Sequence, residues 1–296
     1  MAINKVAPPK SKTALAKELG VSRAGLYYKP KLPVKDLAFK IEIEKVMADN
    51  KAYGHKRIAM ALGVNKKRVL RVMRLFKLKP QRLRKRPDKP KDLGQEPANI
   101  PNLMAGTIVS AQNQIWVCDF TYLLYFGRFL YLATVEDAFT RQVVGWELSA
   151  KHDAVLTTRA LLKALSVHPA PEIVHSDQGS EYNCQAHLNL LKENNILPSM
   201  SAKGSPWQNG KQESFYSGFK FELGHPEAYP TIGELIEAIA KQIHYYNYLR
   251  IHTALKCSPV VFAEKWTAEK LKTEEKKENS IIQINGNQEI RERLCV

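Results

Sequence analysis

Residues 115–125 read IWVCDFTYLLY. The run is rich in β-branched and aromatic residues, which marks a strand. One charge, Asp119, interrupts it, and a carboxylate among apolar neighbours is costly unless something compensates it. The next residues, FGR, form a turn. FLYLATVEDAF (129–139) and QVVGWELS (142–149) then continue as two further strands, so three consecutive strands are expected. DAVLTTRALLKALSVH (153–168) has the spacing of an amphipathic helix, and EIVHSD (172–177) is a short apolar strand ending in polar residues. CQAHLNLLKENN (184–195) is a helix, ILPSMS (196–201) a short strand, and residues 207–222 and 231–249 are helices. Three antiparallel strands extended by parallel ones, with helices on the faces, make an α/β layered fold.

The chain carries a formal net charge of +16, and the excess is confined to one end. Residues 1–92 hold 26 Lys+Arg against 7 Asp+Glu, while residues 93–296 hold 19 against 22. Such asymmetry predicts a polyanion-binding segment joined to a near-neutral domain. Within the basic segment LAKELGVSRAGLYY (15–28) aligns with IAMALGVNKKRVLR (58–71). Each copy reads as a short amphipathic helix, a glycine turn, and a Ser22 or Asn65 that can cap a second helix. That is the layout of a helix-turn-helix, whose second helix enters the major groove. In the second copy this helix carries Lys66, Lys67, Arg68, Arg71 and Arg74. Lys67, Arg71 and Arg74 share a face, while Val69, Val72, Met73 and Phe76 can turn to a core. These five basic residues are the candidate DNA contacts.

Four units follow from this patterning: a basic helix-turn-helix region (1–78), a basic, proline-rich linker (79–112), an α/β core (113–265), which the resemblance described below implies is catalytic, and a C-terminal spacer with a small hairpin (266–296). The hairpin is read from IIQINGNQEI (281–290) and its Asn-Gly turn. The four cysteines, Cys118, Cys184, Cys257 and Cys295, form no CxxC pair. That spacing argues against a structural zinc site and a disulfide scaffold and fits a reducing, cytoplasmic setting. No apolar run reaches the roughly 18–20 residues of a membrane span, and no signal peptide is legible.

Two further carboxylates join Asp119. Asp177 ends the fourth strand, in VHSDQGSEY, and Glu213 lies on the helix after the fifth, in KGSPWQNGKQESFYSGFK. Between Asp119 and Asp177 lie 57 residues, and between Asp177 and Glu213 lie 35. Hard divalent cations take oxygen ligands and need only one or two carboxylates from the protein. Paired ions about 3.5–4 Å apart serve phosphoryl transfer, and three carboxylates suffice if one bridges.

The acidic triad, together with WVCDFTYL, HSDQGSEY, SMSAKGSPWQNGKQESFYSGFK and YNYLRIHTALKCSPV, resembles the integrase-core product (OrfB) of bacterial insertion sequences of the IS-three family. This family belongs to the retroviral-integrase-like superfamily. The resemblance runs from Lys12 to about Phe262 and includes YGHKRIAMAL. It implies a ribonuclease H-like core, a mixed five-stranded sheet with helices, after an all-α region. It implies a transposase that cuts DNA at element ends and transfers strands, with Asp119, Asp177 and Glu213 holding two Mg²⁺ ions (Mn²⁺ substituting). Lys220, two turns past Glu213, matches the family's phosphate-contacting base, and Asn209, one turn before it, either reaches DNA or caps the helix. Arg250 and His252 either touch DNA or order the last helices. His175 reads as a site polariser or a packing residue, Glu181 as a salt-bridge partner, and Trp207 and Tyr216 as base-stacking or core residues. The expected partners are terminal inverted repeats, target DNA, further copies of the chain, and an upstream OrfA product. Other readings are a DNA-binding regulator of transposition without catalysis, and a nonspecific metal-dependent nuclease. The bacterial nucleoid is the expected location.

Overall fold

The computed structural model describes residues 11–27, 32–81, 100–201 and 210–273. The opening stretch is strand β1 (Ile115–Tyr125), followed by β2 (Arg128–Asp137) and β3 (Val143–Ser149). Phe126 and Gly127, with φ of 44° and 75°, close the β1–β2 turn. Two consecutive positive φ values match the twist of the flanking strands. β4 (Ile173–Ser176) and β5 (Leu197–Met200) complete one sheet in the order β3-β2-β1-β4-β5. β1 pairs antiparallel with β2 and parallel with β4, and β4 parallel with β5. The mixed five-stranded sheet expected from the sequence is therefore present.

Alternate β1 residues face different helical layers. Trp116 and Cys118 pack with α5 (Ala154–Leu165) and α6 (Gln185–Glu193) in a core that includes Leu156, Leu161 and Leu191. Leu123 and Tyr125 pack with α7 (Gly210–Leu223) and α8 (Ile232–His244) around Phe215, Phe219, Leu235 and Ile239. Helix α5 lies so close to β3 that a Cβ on Gly145 would overlap the Ala160 carbonyl oxygen and come within 2.8 Å of the Ala164 Cβ. The turn after β2 is organised by Asp137, 2% exposed, whose Oδ1 accepts from the N–H groups of Phe139 and Thr140 and the Thr140 hydroxyl. Its Oδ2 accepts from the Asn113 N–H. This buried carboxylate is satisfied by donors and belongs to the scaffold.

The α8 helix passes into a π-helical turn, Tyr245–Leu249. Asn247 of this turn pairs through its side-chain amide with both backbone groups of Val143 at 2.9 Å, blunting the β3 edge. A helix over residues 259–273, α9, follows and opens on Pro259, whose fixed φ suits a first turn. A spacer is expected from 266, but the chain stays helical to 273. The charges that suggest a spacer lie mostly beyond that point, and the hairpin at 281–290 lies outside the described residues.

The N-terminal region is helical, as expected: α1 (Lys12–Glu18), α2 (Leu32–Asp49), α3 (His55–Ala61) and α4 (Lys66–Leu75). Gly63, at φ 63°, makes the α3–α4 turn, and Asn65 caps α4 by accepting from the Lys67 N–H at 2.8 Å. In the first copy Gly20 turns the chain the same way, but Ser22 caps only a 3₁₀ turn, Gly25–Tyr27. The second helix expected there is thus absent among the described residues. Instead α2 packs on α3 and α4 around Phe39, Ile43, Tyr53, Ile58, Val69 and Val72.

Candidate functional site

The parallel register of β1 and β4 pairs Ile115 with Ile173, Trp116 with Val174 and Val117 with His175. β4 ends at Ser176, so Asp177 opens the loop after it, while Asp119 sits two residues past Val117, inside β1. Burial, and then nearby charges that include both Asp119 and Asp177, push the Tyr182 hydroxyl up, so the two carboxylates share this neighbour. Both are half-buried. Asp119 Oδ1 accepts from the Phe120 N–H at 2.8 Å, and Asp177 Oδ1 from the Gly179 N–H at 3.1 Å. These bonds hold the two side chains in place.

Thr134, paired opposite Asp119 on β2, shares a 2.7 Å hydrogen bond with the Tyr216 hydroxyl, which donates to the Asp119 backbone carbonyl at 2.7 Å. Tyr216 thereby fastens α7 to the residue bearing the first carboxylate. Glu213 lies one turn ahead of Tyr216 in the same helix, about 4.5 Å along its axis. Its side chain, like the whole of Asn209 and Trp207, lies outside the described residues. Among the described residues no group of three or more His, Cys, Asp and Glu side chains converges as a metal cluster. Carboxylate oxygens such as those of Asp119 and Asp177 are the donors that hard divalent cations take.

Of the remaining site candidates, Lys220 places its ammonium 4.4 Å from the centroid of the Tyr122 ring. Tyr216 is 7% exposed and serves the core, so it does not present a stacking surface. His175, 1% exposed, shares a 2.9 Å hydrogen bond with Ser199, whose hydroxyl also accepts from the Leu103 N–H. Burial lowers its pKa to about 4, so it packs as a neutral ring. Glu181 is buried and paired with His152 at 3.2 Å, the salt-bridge role read from its position. Next to Asp119, burial and then that carboxylate push the Cys118 thiol up to about 12, which leaves it an inert core residue.

On α4, Lys66, Lys67, Arg68, Arg71 and Arg74 are all exposed. Arg71 is already engaged: its two Nη atoms meet both oxygens of Asp36 at 2.6 and 2.5 Å. This hydrogen-bonded pairing holds the Asp36 carboxyl below its usual range. Arg68 stacks over Phe39 at 4.1 Å. Arg250 does not face outward as a DNA contact would. It is 8% exposed, and its Nε donates to both oxygens of Glu222 at 2.8 and 3.0 Å. The sequence offers no pointer to Tyr216 as a clamp or to Glu222. A threonine in an apolar strand opposite the Asp119 position is the one legible trace.

Two family models described as integrase core domain match residues 109–206 and 194–259. The chain is 31% identical over 249 residues to the putative transposase InsK for insertion sequence element IS150 of Escherichia coli, covering 80% of this chain and 87% of that protein. It is 35% identical over 226 residues to the transposase for insertion sequence element IS904 of Lactococcus lactis, covering 72% and 88%. Among solved structures, the HTLV-2 integrase catalytic core domain in complex with magnesium (trimeric form) matches at 21% identity and a TM-score of 0.40, covering 52% of this chain and 97% of that one.

Proposed function

The chain belongs to the insertion-sequence transposases with an integrase core domain, and on that footing we propose that it cuts DNA at its element's ends and joins them to a target. The observation that carries this reading is that Tyr216 pins the helix bearing Glu213 to Asp119 in β1, while Asp177 follows the end of β4, the parallel neighbour of β1. Asp119, Asp177 and Glu213 would hold two Mg²⁺ ions, with Mn²⁺ as a substitute. When bound, these ions make the attacking oxygen more nucleophilic and neutralise charge on the scissile phosphate.

The protein's own part is placement. Asp119 and Asp177 present carboxylate oxygens held by the Phe120 and Gly179 N–H groups. Lys220, on the helix of Glu213, supplies a cation to the phosphates beside the cleaved bond. Water attacks a phosphodiester at the element end and frees a 3′-hydroxyl. That hydroxyl then attacks a target phosphodiester in line, with no covalent link to the protein. The exposed face of α4, with Lys66, Lys67, Arg68 and Arg74, docks on the terminal repeat. Joining two ends requires at least two protomers on the DNA. No described helix is long and apolar enough to cross a membrane.

The test is incubation of DNA bearing the inverted repeats with the protein and Mg²⁺ or Mn²⁺, beside Asp119→Asn and Glu213→Gln. Nicking at the repeat ends, lost in both variants while binding persists, is the expected result. Cleavage at random positions would favour a nonspecific nuclease. Binding without cleavage, even after the upstream OrfA product is added, would make the chain a regulator.

A further inference from the structure

The helix bearing Glu213 is fastened at its rear as well as at Tyr216. Glu222 lies nine residues after Glu213, on the opposite side of α7 at about 100° per residue. It accepts from Arg250 Nε and from Gln242 Nε2, the latter at 2.9 Å. Arg250 lies along α7, and a Cβ on Gly218 would come within 3.2 Å of its Nη2. The bare glycine therefore lets the guanidinium run against the helix backbone.

Arg250 also lies within the segment on which the helix-turn-helix rests. The next residue, Ile251, donates its N–H to the Tyr53 hydroxyl at 2.7 Å and packs against the α2–α4 core. At the other end of the π-helical turn the Tyr245 hydroxyl donates to Asn50 Oδ1 at 2.5 Å. Arg57, in the first turn of α3, donates to the Thr253 hydroxyl at 3.3 Å. One short segment, 245–253, is thus bonded to the DNA-binding region on one side and to α7 on the other.

We propose that Arg250 is a positioning residue for the acidic site, joining the helix-turn-helix to the helix that carries the third carboxylate. The exposed face of α4 and the Glu213 face of α7 are then held in one frame, and the distance from the bound repeat to the cleaved bond is set by it. The inference rests on the transposase reading. Lysine at 250 keeps the charge but loses the planar fork that spans Glu222 and the helix backbone.

The test compares Arg250→Lys, Tyr53→Phe and Gly145→Ala with the full-length parent. Gly145→Ala perturbs β3 and α5, on the far side of the sheet from α7, and controls for lost stability alone. Mn²⁺ binding is followed by loss of the free-ion electron paramagnetic resonance signal, with end binding by fluorescence anisotropy and nicking measured in parallel. Arg250→Lys should raise the Mn²⁺ midpoint and lower the nicking rate by about 10-fold or more, the usual scale for supports behind metal ligands. Tyr53→Phe should lower nicking by about 10-fold with repeat binding unchanged, as expected for misplaced but bound DNA. Wild-type Mn²⁺ binding and nicking in both variants would overturn the proposal. So would an equal shift of the Mn²⁺ midpoint in Gly145→Ala. An Asp119→Asn protein that nicks normally would sink the reading of the acidic site itself, a distinguishable failure.

Discussion

Replacing Tyr216 by phenylalanine removes one oxygen and leaves the ring where it packs, 5.1 Å from Phe215. Two hydrogen bonds vanish, a part-buried one to the Asp119 carbonyl and a buried one to the Thr134 hydroxyl. Neutral bonds of this kind contribute about 1 kcal/mol each, and a buried acceptor left unpaired costs about 1–3 kcal/mol. The loss should therefore be about 2–3 kcal/mol, or roughly 4–12 °C in Tm for a domain of this size. Activity should fall further than stability explains. The hydroxyl ties α7 directly to the backbone of Asp119, and a shift of about 1 Å between reacting groups costs about 100-fold in rate. Thermal denaturation, anisotropy on a repeat-end duplex, and single-turnover nicking at saturating Mg²⁺ separate these effects. The expected pattern is a modest drop in Tm, unchanged DNA affinity, and nicking reduced by about 10- to 100-fold. A variant that melts lower yet nicks at the parental rate would refute the idea that this bond sets the placement of α7 against Asp119.

Gly145→Ala should destabilise the fold by about 1–3 kcal/mol, because the new methyl meets the backbone of α5 rather than a side chain that can swing away; a chemical-denaturation midpoint reads it directly. Acid should weaken the protein well above the carboxylate range through His187, a ring 1% exposed whose pKa burial lowers from 6.5 to about 4. Between those two values the unfolded chain binds a proton that the folded chain refuses, so this contribution is complete above about pH 6.5 and is lost as pH falls toward 4. At pH 5 the cost should be about 2 kcal/mol, and a urea midpoint that drops between pH 7 and pH 5 by the same amount in His187→Asn as in the parent would refute the assignment. On α4, Lys67→Ala and Arg74→Ala should each lower the slope of log affinity against log salt by about 0.9, while binding weakens alike on all sequences. Arg71→Ala should change that slope less, because its charge already faces Asp36, and should also lower Tm.

Much of this architecture is legible in the chain because it rests on local period and punctuation. The run 115–125, its turn at Phe126-Gly127 and the two strands that follow are written in β-branched and aromatic residues and one glycine. Asn65 and Gly63 mark the start of α4 in the same way. The first copy of that motif reads alike and folds differently: Ser22 caps only a 3₁₀ turn, while α2 packs on the two helices of the second copy. The second half of α9 reads as a spacer because a charged helix surface and a charged tail have the same composition.

Strand and helix order, the basic N-terminal third, and three acidic positions at telling intervals are all properties of neighbours along the chain, and reading the sequence recovers them. What those positions face is a matter of packing. The strand that Asp177 follows pairs parallel with the strand of Asp119, and the Tyr216 hydroxyl fastens α7 to the Asp119 backbone. Packing also turns Arg250 inward to Glu222 and seats Tyr53 on Ile251. These last two contacts join residues 28 and 198 positions apart. Nothing in the local text encodes such pairings, because a buried polar group is satisfied by whichever donor or acceptor the packed core brings within about 3 Å.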